Sequence, residues 1–239
     1  MRIIVSDEIE SVCPEFVGAH VEIYVHNSPY SAGLWGEIDR LGQEFRQTLT
    51  TETLKDISGI AATRQVYRAC GKDPSRYRPA AEALIRRILQ GKQLYQINTL
   101  VDLVNLASIR YGYSIGGFDA DKFEGDTLTL GVGRAGEPYE GIGRGTINIE
   151  GLPVYRDAVG GVGTPTSDNE RTKIDDNTTS WFSSTGMTVA RPTCAPMPST
   201  SSSWRATTAT VPTEATIYIN KVKLWNRILT AAWHRCASG

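Results

Sequence analysis

The residue types best able to do chemistry fall in one stretch, NTLVDLVNLASIRYGYSIGGFD (98–119), where Asn98, Asp102 and Asn105 stand at i, i+4 and i+7 and share a helix face. Leu100, Val101, Leu103, Val104, Leu106, Ala107 and Ile109 make the rest of that helix apolar nearly all round. That pattern marks a helix buried on most sides, not a surface helix with one wet face. An Asp and two Asn withdrawn from water cost about 1–3 kcal/mol each if left unpaired, so the stripe either braces neighbouring backbone or lines a pocket. The residues alone leave both readings open.

Elsewhere the chemistry is thin. The histidines His20, His26 and His234 carry no Ser-His-Asp or Cys-His signature, so no catalytic residue is assigned. Cys13, Cys70, Cys194 and Cys236 form no C-x-x-C pair and have no histidine at ligand spacing, so free thiols, no metal and no cofactor are expected. Asp119, Asp121, Glu124 and Asp126 cluster, but acids flanking a strand are usually solvated and a hydrolytic or metal role is the weaker reading. Gly141-Ile-Gly-Arg-Gly lacks the G-K-[ST] of a phosphate loop and reads as a hairpin turn.

The net charge of −1 conceals segregation: residues 1–60 carry ten acids against four bases, while 64–92 carry eight bases against two acids. Arg64, Arg68, Lys72, Arg76, Arg78, Arg86 and Arg87, with Tyr67 and Tyr77 among them, form the mixture that neutralises and stacks single-stranded RNA. The competing reading is a solvated helix face whose arginines pair with the acidic N-terminal region.

The elements that must position these groups run helices first. Short strands are expected at 2–5 and 20–25, helices at 36–49, 60–70 (stopped by Gly71) and from Pro79 to Gly91, then the polar-striped helix. Strands and glycine turns follow at 126–133, 145–150 and 152–157. Helices followed by hairpin-spaced strands predict an α+β domain. No apolar run reaches the roughly 20 residues that span a bilayer, and the start MRIIVSDEIE lacks a secretory core, so a cytoplasmic location and no membrane partner are expected.

N-x-x-V-D-x-x-N followed by the Phe118-Asp119 pair resembles the B3/B4 tRNA-binding and editing domain of the phenylalanyl-tRNA synthetase beta subunit. Arg134-Ala-Gly-Glu137 resembles a shortened form of that family's R-A-x-x-G-E turn, and VYRDAVGG (154–161) its strand, Asp and glycine turn. The likeness covers about 64–179, and RQVYRACGKDPSRYRPAAEALIRRILQGK is closer to the free-standing single-domain relatives. It implies a mixed β-sheet core with flanking helices. It also implies a module that binds RNA or aminoacyl-tRNA without a synthetase catalytic core, or a free-standing hydrolase of mischarged tRNA, or an amino-acid-binding domain; DNA is not expected. On this likeness the pocket candidates are Asn105, Asn98, Asp102, Gly116, Glu137, Gly160 and Gly161. The chain departs from the family at Val104, where a Thr is usual, at Gly116, where a His is usual, and in lacking a pocket Glu before Ser180.

From Trp181 the composition changes: seventeen of the last 59 residues are Ser or Thr, four of five tryptophans fall here, and Glu214 is the sole acid. Low-complexity linkers are poor in Trp, so a disordered tail accounts for half of this. A shift of one base accounts for both halves, since WFSSTGMTV (181–189) can then encode Val-Phe-Ile-Asn-Gly-Tyr-Asp-Gly, a strand ending in an Asn-Gly turn. The Val and Asp of that reading are forced and the other six are permitted. The expectation is a domain over 1–180 and a poorly ordered, frameshifted 181–239, with a natural linker leading to TIYINKVKLW as the alternative.

Overall fold

The computed structural model describes residues 1–188 and 215–219, with 185–188 and 215–219 described as backbone only. Five helices and two principal sheets make an α+β fold: α1 Asp7–Val12, α2 Ala32–Thr48, α3 Ser58–Ala69, α4 Ala80–Leu89 and α5 Thr99–Tyr111. One sheet has the order β1 (Arg2–Val5), β4 (Thr127–Val132), β7 (Pro153–Arg156), β8 (Gly161–Gly163), with β1 parallel to β4 and the rest antiparallel. The other is antiparallel, in the order β10 (Ala215–Ile219), β2 (Phe16–Tyr24), β9 (Ser180–Thr188), β3 (Ile115–Asp119). A ribbon of β5 (Glu140–Gly141) and β6 (Gly145–Thr146) forms the hairpin expected of the glycine-rich turn.

Local chemistry sets the helix ends. Ser31 accepts a hydrogen bond from Leu34 N and starts α2 ahead of the expected Gly36. Asn98 caps α5 by accepting from Val101 N at 3.1 Å. Gly112 closes α5 with φ +72°, where a methyl group would stand 2.5 Å from Ile57 Cγ2, so conformation and space both demand glycine.

Between the sheets lies a cluster built on Ile9, Phe118, Leu128, Leu130, Val162 and Phe182. The helices share a second core around Ile38, Leu54, Ile60, Ile85 and Ile109. A third, of Ile23, Leu100, Val104, Ile174 and Trp181, seats α5 on the outer face of the β2–β9–β3 sheet.

Two expectations shift. Of 145–150 only Gly145–Thr146 is strand. Asn148 Oδ1 accepts from Glu150 N, and Lys72 Nζ donates to the carbonyls of Asn148 and Glu150, so side chains take the backbone groups a strand would have paired. The boundary expected at 180 falls within β9, which pairs with β2 on one side and β3 on the other. Trp181 and Phe182 are buried in the cores on its two faces. The remainder of the tail, 189–214 and 220–239, lies outside the described residues.

Candidate functional site

A cleft opens between the sheets, enclosing about 570 Å³ of atom-free space with the solvent at its mouth included. Phe16, Phe118, Leu130 and Tyr155 give it an apolar body, and Thr63, Ser114, Thr164, Asp168 and Ser184 supply polar groups. Two glycines shape it. Methyl groups built on Gly116 and Gly163 would come within 2.7 and 2.5 Å of the Phe118 ring, so the ring fills the volume their side chains would need. The Gly116 departure thus has a structural cause: no histidine fits there while Phe118 keeps its place.

Most of the cleft's polar groups already have partners. Thr63 Oγ1 donates to Gly59 O, and Ser114 Oγ accepts from Ala81 N. Thr164 Oγ1 donates to Ser167 O and accepts from Ser167 N. Tyr155 is buried and hydrogen-bonded to Ser184, burial pushing its phenol up. Asp168 is different. Its Oδ2 accepts from Gly117 N at 3.3 Å, while Oδ1 accepts no hydrogen bond from a described residue and stands beside Gly116 and Gly163, within 3.2 and 3.1 Å of their would-be methyl positions. The residue is half-buried along the cleft while protein crowds its carboxyl. Burial pushes that carboxyl up to about 7 against the opposing pull of the Gly117 N–H.

The turn that carries Asp168 is tied from behind. Tyr67 shares a 2.9 Å hydrogen bond with Thr166, Tyr139 donates to Ser167 O at 2.7 Å, and Asn169 Nδ2 donates to Gly161 O at 3.0 Å. In the sequence this stretch, TPTSDN, reads as an ordinary polar loop. Its one signal is a Thr three residues before a Ser, able to form a hydroxyl-closed turn.

Of the sequence-predicted pocket residues, Gly116 lines the cleft and the others do not. Asn98 caps α5, and Asp102 accepts from Trp35 Nε1 at 2.7 Å and from Ile97 N at 3.2 Å, so both brace the fold. Burial pushes the Asp102 carboxyl up. Asn105 is half-buried on α5, away from the cleft. Glu137 takes a bidentate ion pair from Arg156 at 2.6 Å and caps Arg134 N, which holds its carboxyl below the usual range. A methyl on Gly161 would meet the Tyr139 ring at 2.8 Å, and Gly160 faces open space; Gly163, two residues on, is the glycine of the cleft.

The basic segment is partly spent. Arg64, Arg78 and Arg86 converge on the buried Glu82 at 2.9, 3.4 and 3.4 Å, pairing within the segment rather than with the acidic N-terminal region. Lys72 is buried over the Tyr77 ring at 3.7 Å, Tyr67 is fully buried, and Arg87 lies over Tyr95 and donates to Gln93 O. Arg68 and Arg76 are exposed. The cluster nonetheless carries three guanidinium groups on one carboxylate, and it shares α3 with the cleft, which Thr63 and Val66 of that helix line. Among the described residues no group of three or more His, Cys, Asp or Glu is placed to hold a metal, and Asp119 is engaged by Thr178, Asp121 N and Lys122.

The B3/4 domain family matches residues 62–192, more than half of the chain and nearly all of the cleft. The chain belongs to the B3/4 domain family. Its B3/4 region runs from α3 to just beyond β9, so that Ile9 and Phe16 are the cleft residues contributed from outside it. No curated protein matches the chain in sequence. The crystal structure of an N-terminal fragment of the phenylalanyl-tRNA synthetase beta-subunit from Pyrococcus horikoshii is similar at a TM-score of 0.37 and 13% identity, over 78% of this chain and 43% of that one. The chain therefore spans less than half of that fragment. Among the described residues no helix is long and apolar enough to cross a membrane.

Proposed function

We propose that this B3/4 protein binds RNA, in the form of aminoacyl-tRNA, without the catalytic core of a synthetase. One observation carries the reading: α3 presents Thr63 and Val66 to the cleft and Arg64 and Arg68 to the adjoining cationic surface. A tRNA end fits that division, with phosphates on the exposed Arg68 and the aminoacyl group in the cleft. The reading places the chain in the cytoplasm, where tRNA is. Filter binding with total tRNA, acylated and deacylated, tests it. Affinity should fall as salt rises, because phosphate contacts release counterions; no binding, or binding indifferent to salt, ends the reading.

Hydrolysis of mischarged tRNA in trans is the second reading, favoured by a carboxyl near neutrality that suits a general base. It predicts release of tyrosine from Tyr-tRNA, lost in Asp168→Asn and retained in Asn105→Ala, which lies away from the cleft. Thermal shifts with free amino acids but none with tRNA would favour an amino-acid-binding domain instead.

A further inference from the structure

We propose that Asp168 Oδ1 receives a protonated primary amine, with the apolar body of the same ligand lying against the aromatic walls of the cleft. The inference rests on the reading that the cleft holds an aminoacyl group, and it names the contact that would recognise one, its α-ammonium.

Thr63, Ser114 and Thr164 have their hydroxyls bonded to backbone, and Tyr155 and Ser184 bond each other. Asp168 is anchored through Oδ2 alone, leaving Oδ1 beside two residues without side chains. Asp168 is half-buried and its Oδ1 is open to the cleft rather than sealed in the core, so the oxygen is available to a donor that enters there. No cation among the described residues pairs with Asp168: Arg64, Arg78 and Arg86 pair with Glu82, and Arg156 and Arg171 with Glu137 and Asp157. An oxygen of this kind suits a ligand that brings its own positive charge and donors. Lone carboxylates make poor metal sites, and anions would be repelled. Phe16, Phe118 and Leu130 add apolar surface, so the favoured ligand is an amine with an aromatic or aliphatic body.

The test compares two ligands of one shape on the intact chain: 2-phenylethylamine, which stays protonated from pH 6 to pH 8, and 2-phenylethanol, which is neutral. Calorimetry should show the amine binding at least tenfold more tightly than the alcohol at pH 8. Its affinity should rise about tenfold from pH 6 to pH 8 as Asp168 ionises, while the alcohol stays flat. Asp168→Asn should bring the amine down to the level of the alcohol. Equal binding of the two by the wild-type chain overturns the proposal without recourse to any variant. Undiminished amine binding by a folded Asp168→Asn chain does the same. Amine recognition without tRNA binding would retire the aminoacyl-tRNA reading and leave the amine site standing. Binding of tRNA with no preference for the amine would do the reverse.

Discussion

Trp35 donates its indole N–H to Asp102 Oδ2 across 2.7 Å, tying α2 to α5 at a carboxylate whose other oxygen accepts from Ile97 N. Asp102→Ala leaves two donors unmet and should lower unfolding free energy by about 2–4 kcal/mol. Asp102→Asn, which keeps an acceptor for Trp35, should cost less than half of that. Urea denaturation monitored by far-UV circular dichroism distinguishes them, and tRNA affinity per folded molecule should be unchanged in both.

That pair shows how far the sequence could be read. Helical spacing with apolar neighbours on every side was enough to place α5 and to demand partners for Asn98 and Asp102, because burial of a polar group carries its own constraint. The partners themselves, Trp35 and Ile97 N, depend on how α2 crosses α5, which no local spacing encodes. The α+β class followed from element order, whereas β3, with two adjacent glycines, and the three-residue β8 carry too little β-branched pattern to stand out. Asp168 was hidden for the same reason. Its environment is assembled from β3, β8 and two tyrosines far away in the chain, and a lone Asp in a polar loop gives no sign of that.

Asp168 also makes stability depend on pH. Its folded pKa is pushed up to about 7 from the usual 3.8, so the folded chain holds the proton more tightly than the unfolded one. The resulting stabilisation is full below about pH 4 and is lost as pH rises through 7, an effect of at most about 4 kcal/mol. Asp168→Asn should therefore gain on the wild type between pH 5 and pH 8. Paired urea titrations at the two pH values measure it; parallel profiles would mean an unperturbed carboxyl.

Within the basic segment, pairing sorts the arginines. Arg68 and Arg76 are exposed, so Arg68→Ala and Arg76→Ala should each flatten the salt dependence of tRNA binding by about 0.7 in log–log slope while leaving melting unchanged. Arg64→Ala removes the 2.9 Å partner of a carboxylate only 3% exposed and should instead cost about 1–3 kcal/mol of stability. Filter binding across a salt series, with thermal melts alongside, separates the two groups.

Strand β9 bears on the frameshift proposed from composition. It is central, yet Ser180, Ser183 and Ser184 are buried in it, and Trp181 Nε1 is buried with no hydrogen-bond partner among the described residues. Central strands covered on both faces are ordinarily β-branched and apolar. The shifted frame forces Val at 181 and permits Phe and Ile at 182 and 183, so it can keep Phe at the position where Phe182 is fully buried between the sheets. Ser183 shares the α5 side of β9 with Trp181, beside Ile23, Val104 and Ile174. Ser183 Oγ donates to Gly116 O at 2.9 Å, so Ser183→Ile trades that hydrogen bond, worth about 1 kcal/mol, for apolar burial of about 2–3 kcal/mol and should raise the melting temperature by about 2–8 °C. A lowered melting temperature would argue that serine belongs there, and a coding sequence whose relatives keep the present frame across codons 175–190 would exclude the slip.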